Sequence, residues 1–268
     1  MGSIFMDIEG AHMFKQIGFL FLSIITLSSS TQSSAQSSTH ASNHDRLKVS
    51  IEVINTSRTR LNSVEEMTRN AAVKVIQPET QAFGSGTYFK LSGSYVIITA
   101  SHVVQNIKEL HVVGLAGETV VGTVFYNDPK ADIAMLRVDE IRSRRPAKFK
   151  YQKGHPNLIG SSITYSGYPN DRDLLTLRGS IAGLETSEDS LLAQSYAWMG
   201  ASGSGVFDRK NGNFIGVLSA VDVGVGFYPQ IIESIVWISP AWKINREEVR
   251  KNLEKLEHEI KTKASGKK

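Results

Sequence analysis

The chain contains no cysteine, which excludes disulfides, thiolate metal sites and a cysteine nucleophile. Its histidines (His12, His40, His44, His102, His111, His155 and His258) show no metal-ligand spacing of the HExxH kind, and no metal or cofactor is expected. The body of the chain also lacks an excess of one charge. The formal net charge is +4, and Lys261, Lys263, Lys267 and Lys268 account for all of it. A near-neutral body without a basic stripe interleaved with aromatics argues against a nucleic-acid partner. The apolar run at residues 17–27 is shorter than the about 20 residues that cross a bilayer.

That run belongs to a leader. Met13 is followed by Lys15, the apolar stretch and then Ser33-Ser34-Ala35, the order of a basic region, a hydrophobic region and a small-residue cleavage site. Residues 13–35 therefore read as a signal peptide cut near Ala35, the alternative being an uncleaved anchor, and residues 1–12 as an added or upstream segment. Export with no cysteine fits a secreted or periplasmic bacterial protein better than an animal one, with no stable membrane insertion after cleavage. Roughly 230 residues then remain, enough for one large domain or two small ones. Residues 36–62 begin Ser-rich, with too little apolar content to order themselves. They read as a linker or a propeptide.

From Ser63 the pattern tightens. Residues 63–67 suit a short helix capped by Ser63, with Glu66 at the capping-box position. Short β-branched runs follow at 72–76, 86–91, 95–99, 110–113, 119–125 and 133–138, each bounded by Gly, Asn, Asp or Ser. Six strands at this spacing, without a long helical period between them, indicate a small antiparallel barrel. A second set lies at 162–166, 174–182, 191–195, 205–208, 214–220 and 235–238. The expected fold is all-β: two antiparallel six-stranded β-barrels, 63–147 and 148–239, followed by a C-terminal helix and basic tail, 240–268. Ser239 can cap that helix with Pro240 in its first turn, and Val249, Leu253, Leu256 and Ile260 form one apolar stripe. Docking on the second barrel is expected, a dimerising coil being the alternative, and residues 264–268 are expected to be disordered.

Chemistry concentrates in three places. Met199-Gly200-Ala201-Ser202-Gly203-Ser204-Gly205 sets a serine among glycines just before a strand. Such a turn offers a hydroxyl beside converging N–H groups, as acyl transfer requires; a plain glycine-rich hairpin is the other reading. His102 stands just past the buried run 95–99, and Asp132 heads the run 133–138. A lone histidine or strand-initiating aspartate is usually structural. The conjunction with Ser202 carries the meaning. Asp128 is the second candidate acid.

The stretches Gly84-Ser85-Gly86, Thr99-Ala100-Ser101-His102, Ala131-Asp132-Ile133-Ala134 and Gly200-Ala201-Ser202-Gly203-Ser204 occur in that order. Together they resemble the chymotrypsin-like (trypsin-like) serine proteases, above all cysteine-free bacterial members such as the periplasmic heat-shock proteases and glutamyl endopeptidases. The resemblance covers residues 63–243. It implies a serine endopeptidase in which Ser202 attacks, His102 carries the proton and Asp132 orients His102. It implies likewise an oxyanion hole from the N–H groups of Gly200 and Ser202.

Two departures matter. Ala201 stands where digestive members carry an aspartate that pairs with a newly cut N-terminus, so no such activation is expected. Tyr196 stands where trypsin-like members carry an acid, and the run 214–220 lacks the histidine of glutamyl-specific members. Burying a charged substrate side chain without a counter-charge is costly, so small or medium apolar residues are expected, with Tyr196, Ser219, Ala220 and Val221 binding substrate. Ser219 to Val221 would pair with it as an added strand. A bare protease domain with a terminal helix is expected, without an appended peptide-binding domain, from the few residues after the second barrel. The expected partner is a protein or peptide substrate and the expected state a monomer. The competing readings are a catalytically inactive two-barrel binding protein and a structural envelope-associated module.

Overall fold

The structure is a computed structural model that describes residues 60–150, 157–225 and 229–265. The leader, the Ser-rich stretch and residues 266–268 lie outside the described residues.

Helix α1 (Ser63–Ala71) opens on Asn62 and not on Ser63. The Asn62 side-chain oxygen accepts from the N–H groups of Val64 and Glu65 at 3.0 and 2.9 Å, and Glu65 returns the bond to Asn62 N at 2.8 Å. The box thus sits one residue earlier than expected, because Glu65 rather than Glu66 faces inward. The Glu65 carboxylate is fully buried between Arg178 and Arg209, an arrangement that compensates its loss of hydration.

Among the described residues, twelve strands follow as two closed barrels. The first comprises β1 (Ala72–Ile76), β2 (Phe83–Leu91), β3 (Ser94–Thr99), β4 (Glu109–Val113), β5 (Thr119–Asp128) and β6 (Ile133–Val138), closed in the order β1-β2-β3-β6-β5-β4. A single helical turn, α2 (Ser101–Val104), leaves β3. The second comprises β7 (Ser162–Gly167), β8 (Leu175–Glu185), β9 (Ser190–Ser195), β10 (Gly205–Asp208), β11 (Phe214–Val225) and β12 (Pro229–Pro240). It closes as β7-β8-β9-β12-β11-β10, repeating the connectivity of the first. Every neighbouring pair is antiparallel, and each sheet closes on itself.

Sequence periodicity places every strand and truncates several. The extreme cases are β11 and β12, which continue as a hairpin to Val225 and Pro229. The run Val221-Asp222-Val223-Gly224-Val225 keeps the apolar alternation of a strand, and the ladder follows it, pairing through Asp222, Gly224 and Gln230.

Each barrel has its own core, and the core of the first reaches across to the second. Phe89 and Phe149 meet Phe207 of β10 and Phe214 of β11, with ring centroids 5.2 to 6.1 Å apart. Each such pair contributes about 0.5–1.5 kcal/mol beyond simple burial.

The C-terminal helix corrects three expectations. Pro240 ends β12, and helix α3 (Arg246–Ser265) starts after Asn245, whose side-chain oxygen accepts from Glu248 N at 3.2 Å. It docks on the first barrel, not the second. Val249 and Leu253 are buried in the first core, and Glu257 accepts from Ser94 at 2.7 Å and Arg137 at 3.1 Å. The short helical turn after β12 and the bond from Asn245 N to the Tyr126 hydroxyl carry the chain back across to β5. The helix also extends through Ser265, beyond the expected start of disorder at 264. No helix among the described residues is long and apolar enough to cross a membrane.

Candidate active site

β3 is buried over its last four residues and delivers the chain to α2, whose second residue is His102. Across the barrel, Asp128 ends β5 and its Oδ1 accepts from the N–H groups of Lys130 and Ala131, each at 3.0 Å. This turn former sets up Asp132, which takes a left-handed φ of 51° at the entry to β6. Asp128, the second candidate acid, is spent on the turn.

The Asp132 carboxylate engages His102 twice, accepting from its backbone N–H at 3.0 Å and lying 3.0 Å from its ring Nδ1 through both oxygens. A third donor comes from the second barrel, where the Ser219 hydroxyl donates to Asp132 Oδ2. Burial alone would push the Asp132 carboxyl up. The bond and charge of His102 and the bonds from Ser219 and His102 N outweigh it and hold the group below the usual aspartate range. Ser219 can reach across because it occupies a bulge in the β11–β12 ladder, between Leu218 and Ala220.

Ser202 lies in the turn before β10. Its hydroxyl donates at 3.4 Å to the Ser219 carbonyl, and no hydrogen bond joins it to His102. Ser219 therefore touches both Ser202 and Asp132. Ser204, by contrast, is fully buried.

The carbonyls from Met199 to Ser202 are all engaged. Met199 O accepts from Asn170 N at 2.6 Å, Ala201 O from Ser204 N at 3.1 Å and Ser202 O from Ser85 N at 2.7 Å. Gly200 O accepts from the Ser85 hydroxyl at 2.7 Å. Among N–H groups, Ala201 donates to Trp198 O and Gly203 to Leu218 O, whereas among the described residues those of Gly200 and Ser202 have no protein acceptor. Gly200 needs its φ of 94°, and a Cβ there would lie 2.6 Å from Tyr168 O. Gly203, at φ 90°, packs against Ser85 O and Thr99 Oγ1.

The remaining expected residues are Tyr196, Ala220 and Val221. Tyr196 follows β9 with 40 % of its surface exposed, and its carbonyl accepts from the Tyr165 hydroxyl. Ala220 is exposed and Val221 half-buried, opposite Trp237 and Val236 of β12. Beyond Leu218, β11 is paired only on its β12 side among the described residues. Sequence reasoning missed Ser85 and Asn170 as holders of the turn, and the Ser219 hydroxyl as a donor to Asp132. The available signal was Ser85 standing between Gly84 and Gly86.

The model of the trypsin-like peptidase domain matches residues 84–217, half of the chain. The chain therefore belongs to the trypsin-like peptidase family. A curated relative, a probable periplasmic serine endoprotease DegP-like of Bartonella henselae, is 27% identical over 168 residues. That match spans 54% of this chain and 30% of the relative, so the chain covers less than a third of the relative's length. The fold is similar to that of a serine endoprotease from Yersinia pestis (TM-score 0.55, 19% identity, 70% of this chain and 67% of that one). It is similar also to the Rv3671c protease of M. tuberculosis in its inactive form (TM-score 0.53, 20% identity, 72% and 92%).

Proposed function

We propose that the protein is a serine endopeptidase that hydrolyses peptide bonds through His102, Asp132 and Ser202 and an acyl-enzyme intermediate. The observation that carries this reading is the two-point grip of Asp132 on His102. An ionised carboxylate only accepts, so His102 Nδ1 carries the ring proton and Nε2 keeps a lone pair for base catalysis.

In the proposed reaction, Ser202 turns about χ1 from Ser219 O to His102, a change between staggered rotamers. Its oxygen attacks the scissile carbonyl carbon while its proton passes to His102 Nε2. The imidazolium is stabilised by Asp132, and the oxyanion is received by the N–H groups of Gly200 and Ser202, whose lack of protein acceptors supports this role. Collapse of the intermediate breaks the C–N bond, and His102 gives its proton to the leaving amine. Water then attacks the acyl-enzyme, its proton passing to His102 and on to Ser202 Oγ as the acid is released.

Substrate would lie along the open side of residues 219–221 as an added strand. Tyr196 supplies no charge, which supports small or medium apolar residues at the pocket. A leader of signal type and a relative named as periplasmic support export.

Incubation of the protein with a peptide library, with new termini read by mass spectrometry, tests the proposal. Cleavage after small or medium apolar residues is expected in the wild type and is abolished in Ser202→Ala and His102→Ala. Undiminished cleavage by Ser202→Ala would refute the reading.

A further inference from the structure

Ser85 lies on β2 of the first barrel, yet its polar groups are directed at the turn of the second. It is fully buried. Its N–H donates to Ser202 O at 2.7 Å, and its hydroxyl donates to Gly200 O at 2.7 Å and accepts from Tyr168 N at 2.9 Å. Its own carbonyl accepts from Thr99 Oγ1 at 2.7 Å, which ties it to the strand leading to His102. A serine hydroxyl has a single proton. With Tyr168 N–H occupying its acceptor side, that proton is committed to the Gly200 carbonyl.

We propose that Ser85 is a positioning residue for the oxyanion turn, fixing from the first barrel the carbonyls of Gly200 and Ser202 so that the N–H groups of these two residues converge on the cleft. The inference rests on the peptidase reading above. Two carbonyls separated by one residue are held by one side chain and its own backbone, so rotation of either peptide breaks a buried bond. The peptide carrying the Gly200 N–H is fixed on its other side by Asn170 N on Met199 O. The Ser202 N–H belongs to the peptide of Ala201, whose carbonyl is held by Ser204 N. Ser85 couples these locally held peptides to the barrel that carries His102 and Asp132. Without its hydroxyl, Gly200 O would lose its donor, and the turn would lose the hydrogen bond that sets its left-handed geometry against the first barrel.

A role in positioning the turn differs from general structural support in what it affects. The oxyanion forms only in the tetrahedral state, so a displaced turn slows chemistry and weakens tetrahedral adducts while leaving ground-state binding unchanged. Removing an oxyanion donor outright costs roughly 10²–10³ in rate, and loosening one through Ser85 should cost about ten- to a hundredfold.

The test compares wild type with Ser85→Ala, using a cleaved peptide as substrate, the corresponding peptide boronic acid as a tetrahedral adduct former, and the peptide alcohol as a ground-state analogue. Ser85→Cys keeps the shape with a much weaker donor and carries the test if Ser85→Ala fails to fold. A fall in kcat matched by loss of boronate affinity, with KM and alcohol affinity within about twofold of wild type, is the expected result. Unchanged kcat and boronate affinity overturn the proposal, as does equal weakening of boronate and alcohol. Wild-type protein inert to both substrate and boronate overturns the peptidase reading, and this inference with it.

Discussion

Asp132 holds His102 at two points, the backbone N–H and ring Nδ1, each 3.0 Å from the carboxylate. The first bond fixes where α2 begins relative to β6, and the second fixes the ring. One carboxylate therefore sets both the position and the tautomer of the imidazole.

Asp132→Asn tests the second of these roles. An amide presents an N–H as well as an oxygen, so the ring can turn its unprotonated nitrogen toward residue 132 and lose its base at Nε2. We expect kcat/KM to fall by on the order of 10³–10⁴, with the melting temperature nearly unchanged. A loss below about tenfold would mean that Asp132 does not orient His102.

Ser219→Ala removes one of the donors that offset burial of Asp132. The carboxyl should titrate at higher pH, read directly from its side-chain carbon resonance by NMR, and kcat/KM should fall by about three- to tenfold. An unchanged titration of the Asp132 carboxyl would detach Ser219 from the carboxylate.

Glu65 predicts an acid-dependent stability. Burial raises its pKa, but hydrogen bonds from Arg178, Arg209 and Asn62 N lower it further, to about 2 from the ordinary 4.5. A depressed carboxylate stabilises the fold above the unfolded value and loses that contribution as pH falls through the folded value. The loss should therefore run from about pH 4.5 down to about 2. Because Arg178 is half exposed, screening limits the effect to on the order of 1–2 kcal/mol. In Glu65→Gln this share of the acid sensitivity should vanish, with a lower melting temperature at neutral pH. Parallel melting curves of the two proteins from pH 7 to 2 would contradict it.

Gly203→Ala places a methyl group at φ 90° against Ser85 O and Thr99 Oγ1. Left-handed strain alone costs about 1–2 kcal/mol, and the overlap adds to it by forcing β2 away from the turn. We expect a large fall in melting temperature together with lost activity. An alanine variant as stable and active as wild type would mean that the turn is not packed between the barrels as described.

Leu253→Ala reports on the terminal helix. The side chain is 4% exposed within the first-barrel core, and its truncation should cost about 2–4 kcal/mol. A change below about 0.5 kcal/mol would place the helix off the barrel.

Much of this was legible in the sequence, for reasons that differ by element. The strand runs at 72–76, 133–138 and 205–208 coincide with β1, β6 and β10, because their apolar content starts and stops where the ladders do. The hairpin of β11 and β12 runs beyond the expected 214–220 and 235–238, and here the pattern was present: Val221, Val223 and Val225 alternate with Asp222 and Gly224. The helix start slipped from Asn62 to Ser63 because both can cap, and only tertiary contact with Arg178 and Arg209 selects Glu65. An amphipathic stripe states that α3 docks but not where; Asn245 and Tyr126 decide that across a distance no local pattern encodes. His102, Asp132 and Ser202 stood out through residue type and flanking pattern. Ser85, Asn170 and the Ser219 hydroxyl did not, because their contribution lies in hydrogen bonds between segments far apart in the chain.

The most direct measurement of the central claim is covalent labelling of the folded protein with a fluorophosphonate, with the modified residue mapped by mass spectrometry. The account predicts one adduct, on Ser202, that is absent in His102→Ala and slowed in Asp132→Asn. Absence of any adduct on folded wild-type protein, or an adduct on Ser204 instead, would contradict it.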